Sequence, residues 1–325
     1  MTRTDDRHDE FWWAEPALKA LLESDPAAAG RSLGLDVPAD APAQALVEAA
    51  QVLSVIWQDG RVVAKRDFAL SPDDEGLLFG RGVWESTRTF AGWPWLWESH
   101  LERLCHTARL LDLFVDPARL PRADVVARFV RGLTGMDVVV RLNASAGGRG
   151  RPGTVWMSAA PPPPPITSVR LQTLRSPVPK GQPYLVWKTF QYATRLRVGL
   201  SAAPGFDSTL LVDERDRLQE AAHANLFVRT EEGWATPECD GGLLPGTLRR
   251  HLLESAPASI AERAILKAEL SGVVEAFVTN SNVGIVPVTR IDDHHFPIGE
   301  ETRRLARWLQ PESLLNPRPL VAALV

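Results

Sequence analysis

The chain has 325 residues, with 36 Lys+Arg against 40 Asp+Glu and a formal charge of -4. A dedicated nucleic-acid binder carries a basic excess, so that class is disfavoured. Its 45% hydrophobic and 23% charged residues place it in the globular range, at a length suited to about two domains.

The first residues, MTRTDDRHDEFWW, are mixed in charge and lack the apolar run of a signal peptide. No stretch approaches the roughly 20 apolar residues of a membrane span. A cytoplasmic protein with no membrane partner is expected. Cys105 and Cys239 stand far apart with no CxxC pair, which argues against a disulfide framework or a cysteine zinc site.

Residues 1–50 are rich in Ala, Pro and Asp, with short helical patterns at 17–22 and 43–50 between prolines. They read as an extension. From 52 to 64 two strands are expected, joined by a turn at Asp59-Gly60. A glycine-punctuated loop from 70 leads into a strand over 83–90. The spacing predicts a helix over 97–114, with Ser99 as a candidate cap, and a second over 123–133. Strands follow at 137–142 and 154–159, separated by a glycine and arginine loop over 145–153.

Pro161 to Pro165 then interrupt the pattern. Five prolines cannot continue a ladder or a helix, so they predict a stiff connector. The implied division is an extension at 1–50, a small domain at 51–160, a linker at 161–165 and a larger domain at 166–325. Beyond the linker, strands are expected at 169–174, 209–212, 225–229, 276–279 and 285–288, and helices at 247–254 and 261–269.

Four segments in order carry the chemistry: GRGVWESTR with HLERL, WKTFQY, LQEAAHANLFV with LPGTLR, and VEAFVTNSNVGIVPV. Together they resemble the class IV (fold type IV) pyridoxal-phosphate enzymes, which include branched-chain and D-amino-acid aminotransferases and aminodeoxychorismate lyase. The resemblance spans about residues 52 to 295 and implies an α+β, two-domain fold, with pyridoxal 5'-phosphate held mainly by the second domain. It also implies a homodimer whose small domain completes the partner's pocket.

By the same resemblance Lys188 is the Schiff-base lysine and the acid/base at the substrate alpha carbon. Its neighbours Trp187 and Phe190 suit that role, because desolvation lowers an amine's pKa. Read alone, Lys188 is as readily an ordinary surface lysine with its stem packed on aromatics. Glu220 matches the glutamate that pairs with the cofactor's pyridine nitrogen, and Tyr192 the tyrosine near its ring. Gln191 stands where the family usually has asparagine.

The phosphate is expected at Gly246, Thr247 and Leu248, where a Pro-Gly turn opens a helix, and at Thr279 and Asn280, which end a strand. Arg103 matches the phosphate-binding arginine; its ordinary alternative is a surface ion pair with Glu98 or Glu102. His100 reads as structural, and His223 is a possible lining residue.

Two reactions stay open, elimination of pyruvate by a lyase and amino transfer. SAGGRG and the TNS ending resemble the lyases, and Arg149 on the first is the candidate for a substrate carboxylate. LNAS before that loop, Arg151 after it, and Arg81 where aspartate is frequent depart from the pattern. A non-catalytic homologue is a third reading. No metal is expected: His294 and His295 follow two aspartates and read as a surface turn. The Gly80 and Gly82 pair is no dinucleotide fingerprint, for it lacks the third glycine and the helix.

Overall fold

Val-, Ile- and Thr-rich runs build two sheets, and the helices pack on them. The computed structural model describes residues 52–177, 179, 182 and 186–309; the extension expected at 1–50 lies outside them. The first sheet is made of β1 (Val55–Gln58), β2 (Arg61–Ala64), β3 (Gly82–Phe90), β4 (Trp93–Pro94), β5 (Val139–Ser145) and β6 (Val155–Ala160), in the order β2-β1-β6-β5-β3-β4. Each pair is antiparallel. β6 alternates buried and half-buried residues, as a strand with one face on a core should.

That face is covered by α2 (Trp97–Leu110) and α3 (Ala123–Leu133). The helix α2 ends earlier than the periodicity predicts, because Asp112 turns the chain with φ +51. Ser99 is not its cap. Leu96, with φ +52, precedes the first turn and no side chain caps it. Within the predicted loop after residue 70 the chain forms a short helix, α1 (Glu75–Phe79). Asp74 accepts from the Gly76 N–H at 2.7 Å, and Gly80, with φ +66, ends it.

Pro161–Pro165 fall between β6 and the first strand of the second sheet, β7 (Val169–Arg175). The second sheet continues with β8 (Ser208–Val212), β9 (Leu218–Ala221), β10 (Ala224–Thr230), β11 (Gly233–Thr236), β12 (Ile260–Glu262), β13 (Glu275–Asn280), β14 (Gly284–Ile291) and β15 (His294–His295). Because β9 pairs with both β8 and β10, six strands close into a ring, β10-β13-β14-β7-β8-β9. His294 and His295 return along β14 after a turn at Asp292 and Asp293.

Three further helices complete the described fold: α4 (Ala193–Gly199), α5 (Thr247–Ser255) and α6 (Glu300–Leu309), the last unanticipated. The helix predicted over 261–269 does not form. Its apolar residues have a helical period, yet residues 260–262 are drawn out beside β11 as β12, Ile265 accepts from the Leu218 N–H at 2.8 Å, and only Lys267–Gly272 coil, into a short 3-10 helix. Burial of Ile265 (0% exposed) against the ring outweighs the local preference.

The two sheets meet where the segment before α4 crosses β3. Trp84 N–H donates to the Lys188 carbonyl at 3.1 Å, Phe190 N–H to the Gly82 carbonyl at 2.9 Å, and the Trp84 indole to the Thr189 carbonyl at 2.9 Å. This crossing explains one glycine of the pair. A Cβ at Gly82 would lie 2.3 Å from the Phe190 ring. Gly82→Ala should therefore overpack the crossing and destabilise by roughly 1–3 kcal/mol, seen as a fall of about 2 to 10 °C in a thermal melt.

Candidate active site

A cavity of about 400 Å³ opens where the sheets meet, and its walls come from both. Lys188 enters from the crossing segment. Its Nζ lies 3.8 Å from the centre of the Trp84 indole, and the Arg141 guanidinium from β5 lies 3.7 Å from the same ring. Desolvation, together with the positive charges of Arg103, Arg195 and Arg141, lowers the Lys188 pKa to about 7; Glu85 opposes this. A half-deprotonated amine at neutral pH is a nucleophile and a base.

Opposite it, the ring of strands presents Glu220 at the β9–β10 hairpin. Asn225 pairs in register with Glu220 on one side and Thr279 on the other, which sets these residues on three adjacent strands. Glu220 is 2% exposed. It accepts from Arg195 at 2.6 Å, the Leu244 N–H at 2.9 Å and the Asn225 amide at 3.3 Å. Burial raises its pKa, while Arg195 and these donors favour the carboxylate.

Tyr192 stands edge-on to Trp84, and its hydroxyl is 3.1 Å from His223 Nδ1. Burial, with Arg195 and Lys188, lowers the His223 pKa, so this imidazole is neutral at pH 7. Gln191 faces away and donates to the Phe79 carbonyl at 3.1 Å.

The third wall is a cup of donors. Gly246 precedes α5 with no side-chain cap, so the first N–H groups, those of Thr247 and Leu248 among them, have no partner within the helix. A Cβ at Gly246 would sit 2.0 Å from the Asn225 amide oxygen, so glycine is needed for this approach. The Thr279 hydroxyl donates to the Gly284 carbonyl at 2.8 Å. The Asn280 side chain donates to the His223 carbonyl and accepts from the Asn282 and Val283 N–H groups. Both side chains therefore shape the β13–β14 turn and are not free donors. Ser281 is the hydroxyl that faces the cup, 2.9 Å from Thr247 Oγ1.

Arg103 reaches the same cup from α2 but forms neither expected surface pair. Its Nε and Nη2 donate to the two oxygens of Glu85 at 2.7 Å, and Nη1 to the Pro245 carbonyl at 2.8 Å. Burial pushes the Glu85 pKa up, yet Arg103 and then His100 hold it down to about 2. Glu102 pairs instead with Arg250.

One residue is not brought in. Arg149 sits on the loop after β5 with φ +52, its side chain 80% exposed and 3.3 Å from Asp73. The glycine-rich turn carries it off the end of the sheet, away from this chain's cavity. Arg141 does line the cavity, a residue that sequence reasoning missed, as it missed Arg195 and Ser281. A lone arginine in the apolar run VVVRL was the available signal for Arg141; Arg195 had none, because only the chain crossing brings it to Glu220.

The site suits pyridoxal 5'-phosphate. It combines an amine with a lowered pKa, a buried carboxylate, and a cup of backbone amides and hydroxyls around one cavity. Among the described residues no cluster of His, Cys, Asp and Glu suits a metal, and no helix is long and apolar enough to cross a membrane.

Residues 82–291 match the family described as amino-transferase class IV. A putative branched-chain-amino-acid aminotransferase of Methanocaldococcus jannaschii is 26% identical over 77% of this chain and 93% of its own length. The aminodeoxychorismate lyase of Bacillus subtilis is also 26% identical, over 77% and 92%. The crystal structure of 4-amino-4-deoxychorismate lyase from Pseudomonas aeruginosa superposes with a TM-score of 0.68 at 30% identity, covering 78% of this chain and 97% of that one. The chain belongs to the class IV aminotransferase family, enzymes of fold type IV that depend on pyridoxal 5'-phosphate.

Proposed function

We propose that the protein is an aminodeoxychorismate lyase-like enzyme, removing the alpha proton of an amino-acid-type substrate and eliminating pyruvate to leave an aromatic amine. The observation that carries the chemistry is Lys188, an amine whose pKa is lowered to about 7, lining the same cavity as Glu220. The preference for elimination rests on the SAGGRG loop, the TNS ending and the 30% identity to the Pseudomonas aeruginosa lyase. Amino transfer is the second reading, favoured by the equal 26% identity to the Methanocaldococcus jannaschii aminotransferase.

When bound, the cofactor supplies an electron sink that stabilises a carbanion. Lys188 would hold it, and its free amine is placed to take and return the substrate's alpha proton. Glu220, oriented by Arg195, Asn225 and the Leu244 amide, would hold the pyridine nitrogen, and Tyr192 would pack near the ring. Gly246, Thr247 and Leu248 would offer backbone donors to the phosphate, and the turn that follows Thr279 and Asn280 faces the same cup. Arg103 has five N–H donors, of which three are engaged with Glu85 and Pro245. The other two serve the same anion.

Arg141, spread over Trp84, takes a substrate carboxylate, for which a planar guanidinium is suited. In a homodimer Arg149 turns toward the partner's pocket rather than its own. The residues flanking Pro161–Pro165 then form a small domain at 51–160 and a larger one at 166–325. The enzyme works in the cytoplasm.

Given 4-amino-4-deoxychorismate alone, the purified protein should release pyruvate with no 2-oxo acid present; transfer of the amino group to 2-oxoglutarate without pyruvate overturns the lyase reading. Arg141→Met should raise KM roughly tenfold to a hundredfold, the worth of a charge-assisted hydrogen bond, with a much smaller change in kcat. The initial rate at which cofactor-free protein captures pyridoxal 5'-phosphate should rise with pH and level off above about 7. The free amine is the reactive form and its pKa lies below the usual 10.5. An ordinary lysine would keep gaining rate toward pH 10.

A further inference from the structure

Behind the cup, one histidine is wired to both of its hydroxyls. His100 is 1% exposed on α2. Its Nδ1 lies 2.7 Å from Glu85 Oε2, and its Nε2 lies 3.1 Å from both Ser281 Oγ and Thr247 Oγ1. Those two oxygens are 2.9 Å apart, and both residues line the cavity with Arg103.

Glu85 is ionised and can only accept, so Nδ1 carries a hydrogen and donates to it. In the neutral imidazole Nε2 then has only a lone pair. It must take the proton of one hydroxyl, Ser281 or Thr247. Without an anion the second hydroxyl donates to the first, and both protons point inward. An arriving anion can claim only the second.

A proton on Nε2 reverses the arrangement. The ring then donates to a hydroxyl oxygen, both hydroxyl protons turn to the cavity, and one positive charge is added behind them. The groups facing His100 are Glu85 from β3, Arg103 from its own helix, Thr247 from α5 and Ser281 from the β13–β14 turn, with Lys188 acting at longer range. Burial, with Arg103 and Lys188, lowers its pKa against the pull of Glu85. The ring is therefore neutral near pH 7 and has a proton to gain.

We propose that His100 is a positioning residue that takes up a proton when a phosphate monoester enters the cup, turning the Thr247 and Ser281 hydroxyls outward as a pair of donors. The proposal rests on the reading of this cup as the phosphate site. It adds that phosphate affinity is linked to pH through a group that never touches the phosphate. The sign follows from the lowered pKa of the free cup. Binding raises the His100 pKa, so protons are taken up above the free value, and affinity weakens as pH rises through that window.

The test is calorimetry of cofactor-free protein with pyridoxamine 5'-phosphate, which forms no bond to Lys188, in buffers of different protonation enthalpy. Work at about pH 8 keeps the phosphate a dianion, since its second pKa is roughly 6. Wild type should take up close to one more proton per ligand than His100→Gln. Its affinity should fall up to about tenfold per pH unit where the variant's is flatter. Inorganic phosphate should show the same difference, because the phosphate and not the ring draws the proton.

Equal proton uptake in wild type and variant overturns the proposal while leaving the cofactor reading intact. Failure of pyridoxamine 5'-phosphate to bind overturns both. His100→Asn, which likewise cannot be protonated, replaces the first variant if a thermal melt shows that variant unfolded.

Discussion

Glu85 is an ionised carboxylate with no exposed surface, set in the middle of β3. A buried charge is tolerated only when paired and fully hydrogen-bonded, because removing one partner strands the other in a medium that solvates it badly. Here the partners are Arg103 and His100, three residues apart on one face of α2. Arg103 goes on to the Pro245 carbonyl, at the mouth of α5, and His100 to Thr247 and Ser281. One carboxylate in the first sheet thus fixes the donors that the second sheet presents.

The same charge balance sets the reactivity of Lys188. Three arginines, Arg103, Arg195 and Arg141, surround the amine, and each is anchored elsewhere: on Glu85, on Glu220, and on Trp84 with Asn143. Anchored cations cannot move away when the lysine is protonated, so the protonated amine is disfavoured by position as well as by desolvation. The chain carries formal charge -4 overall, yet the cavity collects cations. Net charge describes the surface average and not a site.

Much of the site was legible in the sequence, and for a physical reason. Cofactor chemistry demands particular groups at short local spacings, such as Gly246 ahead of Thr247, or Asn225 five residues after Glu220, and local spacing survives in a linear string. Ser281 could have been found beside Thr279 and Asn280, since a turn that lends amides to an anion readily lends a hydroxyl. Arg149 does not line this chain's own cavity, and a glycine-rich arginine loop says nothing about which way it leaves the sheet. The helix expected at 261–269 failed because β11 offered its backbone a parallel partner.

By itself the sequence determined the alternation of strands and helices, the proline break at Pro161–Pro165, the family, and Lys188 and Glu220 as the candidates to serve the cofactor. Periodicity, proline chemistry and motif spacing are properties of neighbours along the chain. Only the tertiary structure decided that Arg103 answers Glu85 rather than Glu98 or Glu102, that Arg195 holds Glu220, that Arg141 faces the cavity, and that His100 stands behind two hydroxyls. Those partners are separated by 15 to 181 positions. Closure of the strand ring and the crossing of Lys188 over β3 bring them within hydrogen-bonding distance, and no local pattern encodes that approach.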